Sequence, residues 1–177
     1  MHIQSEQALA TRRHAFAPDI AREQARVAAA DALILQFPLW WGSAPALLKG
    51  WFERVLAYGF GYVDGRRFET GLFKGRRAMI SVTTGGPLTR FTEGDVYGPI
   101  DDILLPVRRL TLEYMGYTVS EPFVAYAAPR LEESERQGLL RDFASKVVDF
   151  AALPVERRED YRTALDEVPE GAWARKR

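Results

Sequence analysis

Two short segments hold the residue types best suited to chemistry. In Pro38-Leu39-Trp40-Trp41-Gly42-Ser43-Ala44-Pro45, two adjacent tryptophans stand between prolines and beside a glycine. A flat, amphipathic indole pair on a loop could take a planar ring. It could equally plug the space beneath the helix that follows. In Thr83-Thr84-Gly85-Gly86-Pro87, paired glycines free successive backbone N–H groups for close approach to an electron-rich ligand. The plainer alternative is an ordinary turn.

Other constellations are missing or weak. The chain has no G-x-G-x-x-G, Walker loop, H-E-x-x-H or G-x-S-x-G around Ser43. Asp101-Asp102 fits the dipole of a helix opening after Pro99 better than a catalytic carboxylate pair. Arg66-Arg67 and Arg76-Arg77 could bind phosphate, but read more simply as solvated charges in a loop and at a strand entry. The 177 residues contain no cysteine and only two histidines, His2 and His14, which disfavours disulfides, iron–sulfur clusters, thiolate nucleophiles and a histidine-rich metal site. Twenty-four basic and 24 acidic side chains balance, which argues against a nucleic-acid partner. No secretory signal opens the sequence. The longest uncharged run, residues 32–48, holds Gln36, Pro38, Gly42, Ser43 and Pro45, so no membrane span is expected and the cytoplasm is the expected location.

The positioning elements follow from periodicity. Ala17-Pro18-Asp19 marks a helix start, with the helix running to Ala30. The apolar run Ala32-Leu33-Ile34-Leu35-Gln36-Phe37 fits a strand buried on both faces. Leu47, Leu48, Trp51, Phe52, Val55 and Leu56 form the apolar stripe of a second helix after Pro45. Close packing is the expected reason for Gly50 within it. Residues 59–75 read as a long loop, and Arg77–Thr83 as a second strand. A helix is expected over 99–115, kinked or starting late at Pro106 and ending on Gly116 in the left-handed region. Residues 117–126 form a third strand, placed at an edge by Pro122. An amphipathic helix covers 131–153. One domain, residues 1–153, is followed by a charged tail, 154–177, expected to wrap the surface or fray. Alternating helices and strands predict an α/β fold with a three-stranded parallel sheet. Ligands of such sheets bind at the carboxyl ends of the strands, where both segments lie.

At these residues the chain resembles the flavin-dependent NAD(P)H:quinone oxidoreductases, the DT-diaphorase and modulator-of-drug-activity-B group, which share a flavodoxin-like three-layer fold. The matching text is Ala30-Asp31-Ala32-Leu33-Ile34-Leu35-Gln36-Phe37-Pro38-Leu39-Trp40-Trp41, then Pro45-Ala46-Leu47-Leu48-Lys49-Gly50-Trp51-Phe52-Glu53-Arg54-Val55, then Ser81-Val82-Thr83-Thr84-Gly85-Gly86-Pro87. The resemblance implies a flavin, FAD or FMN with FAD slightly favoured, bordered by Pro38, Leu39, Trp40, Trp41 and Gly42 and contacted by Thr83, Thr84, Gly85 and Gly86. It implies a substrate-facing segment, Gly61, Tyr62 and Val63, at the interface of a homodimer. The implied reaction is two-electron ping-pong transfer of hydride from NAD(P)H through flavin to a quinone.

Two departures accompany the match. The family's relay tyrosine and histidine positions fall on Phe91 and Tyr97, and a phenol with a pKa near ~10 relays protons poorly at neutral pH. Family members also carry a strand, a phosphate loop, a helix and a further strand before the segment matching Met1. Met1 is therefore expected to be an internal methionine, a mis-called start or the product of gene truncation, with Ala32–Phe37 left as an open edge. The alternative function is a non-catalytic flavodoxin-like regulatory or interaction subunit, like the ancillary flavoproteins of potassium efflux systems, or an inactive remnant.

Overall fold

A computed structural model describes residues 2–156 and 160–168. Met1 and the tail residues 157–159 and 169–177 lie outside the described residues. Helices α1 (Ile3–Arg13) and α2 (Pro18–Ala29) precede strand β1 (Ala32–Pro38) and helix α3 (Ala46–Val55). Strand β2 (Arg77–Thr83), helix α4 (Ile100–Val107), the short strands β3 (Thr118–Val119) and β4 (Phe123–Ala125), and helix α5 (Glu133–Ala152) complete the order. No helix among the described residues is long and apolar enough to cross a membrane.

The sheet is parallel, with β2 at its centre. β1 pairs along one side of β2, while β3 and β4 share the other. The third expected strand is thus split in two. Three residues, Ser120, Glu121 and Pro122, stand opposite Met79 and Ile80, so the register slips by one between β3 and β4. Pro122 has no N–H for the ladder, and an edge accommodates this bulge. β2 buries Ala78, Met79, Ile80, Ser81 and Val82 in succession, as a strand covered on both faces must.

β1 departs from expectation. Leu35 and Phe37 are buried on one face, but Ile34 on the other is half-buried and Gln36 exposed. Among the described residues β1 pairs with β2 alone, so one edge stands open, and its polar residue meets solvent.

The N-terminal helix α1 has no counterpart in the sequence reading, because its apolar residues are few. It docks through local chemistry: Gln7 Oε1 accepts from the Tyr58 N–H at 2.9 Å, and the Thr11 hydroxyl donates to the Tyr58 carbonyl at 3.1 Å. The chain after α5 also does more than line the surface. Tyr161 sits against Phe60 and Phe73, with ring centroids 4.9 and 5.1 Å away, and donates to the Phe60 carbonyl at 2.8 Å. Ala164 and Leu165 join Ala8, Tyr58 and Val63 in a second apolar cluster.

Arg76 is likewise not a solvated charge. It is 2% exposed, and its guanidinium donates to the carbonyls of Val27 (3.0 Å) and Ala30 (2.9 Å) at the end of α2, where a cation is favoured. It also lies 5.1 Å from the Phe73 ring centroid. Arg77 fits the reading better, donating to the Pro154 carbonyl at the surface.

Pro106 lies inside α4, where it removes one N–H from the helical ladder, and directly after that helix Arg108–Glu113 widens into a π-helical stretch. The Thr111 hydroxyl donates to the Pro106 carbonyl at 3.0 Å. Gly116, with φ +104°, ends the segment as expected.

Two stability predictions arise here. A Cβ at Gly50 would meet nothing within 4 Å, which overturns the expectation of close packing; nothing in the structure explains this glycine. Gly50→Ala should therefore stabilise the protein by about 0.5–1 kcal/mol through helix propensity, read as a higher Tm. The Tyr117 hydroxyl is buried without a hydrogen-bond partner among the described residues, and burial pushes its pKa up. Tyr117→Phe removes an unpaired polar group and keeps the stacking on Phe73 at 5.2 Å. Its denaturation midpoint should rise, by about 1 kcal/mol of stability, with an unchanged m-value.

Candidate functional site

The carboxyl ends of β1 and β2 hold a cleft of about 780 Å³. Its floor is Thr84, Gly85 and Gly86. Thr84 is buried and builds the loop: its hydroxyl donates to the Gly86 carbonyl at 2.8 Å, and its N–H donates to the Ala125 carbonyl at 3.0 Å. Neither the Gly85 nor the Gly86 N–H donates to another described residue. A Cβ on Gly85 would meet nothing within 4 Å, whereas one on Gly86 would stand 3.2 Å from both Phe91 and Tyr97. The floor is thus bare backbone, with two adjacent donors left for a ligand.

One wall is the turn after β1. The Leu39 N–H donates to the Thr83 carbonyl at 2.8 Å, tying the two segments together. Trp40 and Ser43 exchange both backbone hydrogen bonds, at 3.1 and 3.0 Å, and Trp41 and Gly42 form the tip with φ of +52° and +68°. Positive φ at both central positions matches a tight type I′ hairpin, and for a bulky residue it is unfavourable. Trp41 projects fully into solvent at the cleft and Trp40 is 64% exposed, so neither plugs space beneath α3. Leu47, expected in the buried stripe of α3, is 88% exposed. The other wall holds Pro87, Phe91, Val96, Tyr97 and Ile103. Phe91 lies 5.1 Å from Tyr97 and 5.5 Å from Tyr126, centroid to centroid. Burial, and then the Asp101 charge, raise the Tyr126 pKa, keeping that phenol neutral.

Of the residues singled out in the sequence, Leu39, Trp41, Gly42, Thr84, Gly85, Gly86, Phe91 and Tyr97 line this cleft. Trp40 flanks it, while Pro38 and Thr83 end the strands that carry it. Gly61, Tyr62 and Val63 do not line it. Gly61 is required by packing, since a Cβ there would stand 2.8 Å from the Leu56 carbonyl oxygen. The Tyr62 ring lies between Tyr58 (5.4 Å) and Tyr114 (6.2 Å), with its pKa raised chiefly by burial, and Val63 is 1% exposed. Asp101 sits in the first turn of α4, as expected for a dipole partner, and Arg108 approaches it at 3.8 Å. Arg90 and Arg130 were missed. The signal for Arg130 was the end of the third strand, a position equivalent to those of the two segments already chosen. A second hollow, about 850 Å³, lies at the amino end of β2 and is lined by charged residues such as Arg66, which pairs with Glu167 at 2.8 Å. Parallel sheets bind ligands at the opposite end.

Helices on a parallel sheet, with a cleft beyond the strand ends, define an open α/β domain with its candidate site where such sheets take ligands. The chain belongs to the flavodoxin-like fold family, whose model matches residues 2–147. It is 37% identical over 143 residues to NAD(P)H dehydrogenase (quinone) 1 of Cavia porcellus, covering 81% of this chain and 52% of that protein. It is 32% identical over 136 residues to the glutathione-regulated potassium-efflux system ancillary protein KefF of Klebsiella pneumoniae (strain 342), covering 76% and 73%. Among solved structures, a candidate quinone reductase from Klebsiella pneumoniae superposes with a TM-score of 0.78 at 31% identity, over 97% of this chain and 71% of that one. General stress protein 14 of Treponema denticola, solved with FMN, gives 0.62 at 29% identity, over 76% and 72%. The chain spans between half and three fifths of the length of the mammalian quinone dehydrogenases it matches.

Proposed function

We propose that this chain is a flavin-dependent NAD(P)H:quinone oxidoreductase, acting in the cytoplasm as a homodimer. The observation that carries the reading is the pair of amides at Gly85 and Gly86, which donate to no described residue and stand beside a fully exposed Trp41. These residues fit an isoalloxazine: a planar, electron-rich ring needs flat contact and donors at its polar edge. Thr84, Gly85 and Gly86 would hold that edge, and Leu39, Trp41 and Gly42 would border the ring.

Bound flavin, FAD or FMN, supplies the two-electron relay between NAD(P)H and quinone. The protein's part is binding and electrostatics. The Gly85 and Gly86 N–H groups, held by the Thr84 loop, would donate to the flavin's polar edge and favour its negatively charged form. Phe91 and Tyr97 close over Gly86 and limit the space for the entering nicotinamide or quinone. Phe91 has no titratable group and cannot relay a proton, so water at the open mouth would supply the proton needed by the reduced quinone. Exposed Trp40, Trp41, Leu47, Leu88 and Val96 offer apolar surface for a second copy. In such a dimer Tyr62, half-buried between buried Gly61 and Val63, would be the residue of that segment to serve the partner's cleft.

Purified protein should carry flavin absorbance or gain it on titration with FAD or FMN, elute as a dimer, and oxidise NAD(P)H when a quinone is supplied. A colourless, folded protein that takes up neither flavin overturns the reading. The similarity to KefF supports a second one, a non-catalytic ancillary subunit; flavin binding without turnover in isolation would favour it.

A further inference from the structure

We propose that Arg130 makes this cleft selective for a co-substrate bearing a strong-acid anion, a sulfonate or a phosphate. The inference rests on the reading of the cleft as a redox site and names the substrate class it takes.

Four observations lead there. The cleft is lined by two cations, Arg90 and Arg130, and by no acidic side chain, in a protein whose charges otherwise balance. Arg90 is compensated by Asp95, 3.4 Å from its guanidinium. Arg130 forms no ion pair or side-chain hydrogen bond among the described residues. Its backbone is nonetheless held firmly. The Ala127 N–H donates to the Gly86 carbonyl (2.9 Å), the Ala128 N–H to the Thr84 carbonyl (3.0 Å), and the Arg130 N–H to the Ala127 carbonyl (2.8 Å). Ala127 adopts φ +52°, an unfavourable conformation that this latch maintains.

The turn after β4 therefore places Arg130, an exposed residue, on the lining of the cleft whose floor exposes two amide donors. A neutral isoalloxazine or an unsubstituted quinone has no use for that charge. An anionic substituent does, because a guanidinium meets sulfonate or phosphate oxygens with two parallel N–H donors. At a solvent-open rim the charge-assisted bond should be worth roughly tenfold in affinity, and should weaken as salt rises.

Quenching of tryptophan fluorescence by 1,4-naphthoquinone-2-sulfonate and by neutral 1,4-naphthoquinone, at matched absorbance, reads both affinities without turnover. The absence of cysteine removes thiol alkylation by the quinones. The wild-type chain should bind the sulfonate about tenfold more tightly, the gap narrowing with salt. Arg130→Ala should close the gap, and Arg130→Lys should keep part of it. NADPH against NADH forms the second arm. If Arg130→Ala closes a gap in that pair and not in the quinones, the anion is the nucleotide's phosphate and the selectivity stands with the donor as its source. No gap in either pair, a gap that survives Arg130→Ala, or equal weakening of charged and neutral ligands overturns the proposal. Flavin uptake is recorded separately. A chain without flavin that shows the Arg130-dependent gap sinks the redox reading alone, whereas flavin uptake without a gap sinks this proposal alone.

Discussion

Gly85→Val should weaken flavin binding by on the order of 100-fold while leaving the fold intact. The substitution is unusual in having almost no structural cost. Gly85 has no positive φ, and a Cβ there meets no atom within 4 Å. The new side chain must instead occupy space above the cleft floor, where the proposed ring would rest. Overpacking a fitted site costs about 1–3 kcal/mol, and at the upper end that is roughly two orders of magnitude in Kd. Titration with FMN and FAD gives the affinity, and a thermal melt gives the stability. Unchanged flavin affinity with an unchanged Tm would remove the ring from Gly85. Loss of both together would make Gly85 a structural residue.

The largest loss of stability should come from Gly71→Ala. A Cβ at Gly71 would lie 2.3 Å from both the carbonyl carbon and the oxygen of Met115, and 2.5 Å from the Gly116 nitrogen. These are backbone atoms and cannot rotate aside. The Phe73 N–H also donates to the Met115 carbonyl at 2.9 Å, and the Phe68 N–H donates to the Tyr114 carbonyl at the same length. The turn at 68–74 is thus clamped onto the end of the π-helical stretch. Opening that clamp should cost about 3 kcal/mol or more, seen as a lower urea midpoint or insoluble expression. Gly50→Ala is the control of opposite sign: the same methyl group, added where no neighbour stands, should stabilise.

Local pattern carried much of the fold. Pro18 and Pro45 marked helix starts because a proline is tolerated where a helix N–H has no partner. Residues 77–83 read as a strand closed by the turn residues Thr84-Gly85-Gly86-Pro87, whereas the expectation of burial on both faces, drawn for residues 32–37, held on only one face there. The candidate site was legible for a similar reason: tryptophans beside glycine, and paired glycines, are costly or unusual unless a ligand or a turn requires them. Where the reading departed from the structure, information came from distant residues. Arg76 looks like a surface charge until α2 ends beside it. Tyr161, Ala164 and Leu165 look like part of a charged tail until the loop at 57–63 offers them an apolar surface. Gly50 looked like a packing glycine because sequence cannot show that nothing lies opposite.

The sequence by itself determined the alternation of helices and strands, the positions of the two chemically suited segments, and the absence of thiol chemistry, since periodicity, turn residues and composition are local properties of the chain. The tertiary structure alone decided which of those residues share one cleft and which, such as Tyr62, turn into an aromatic cluster elsewhere. It also decided that Arg130, some 44 residues beyond Gly86 in the chain, stands on the same cleft. Hydrogen bonds between the loops after β2 and β4 bring those residues together, and such bonds are formed only when the parallel sheet sets its strand ends side by side.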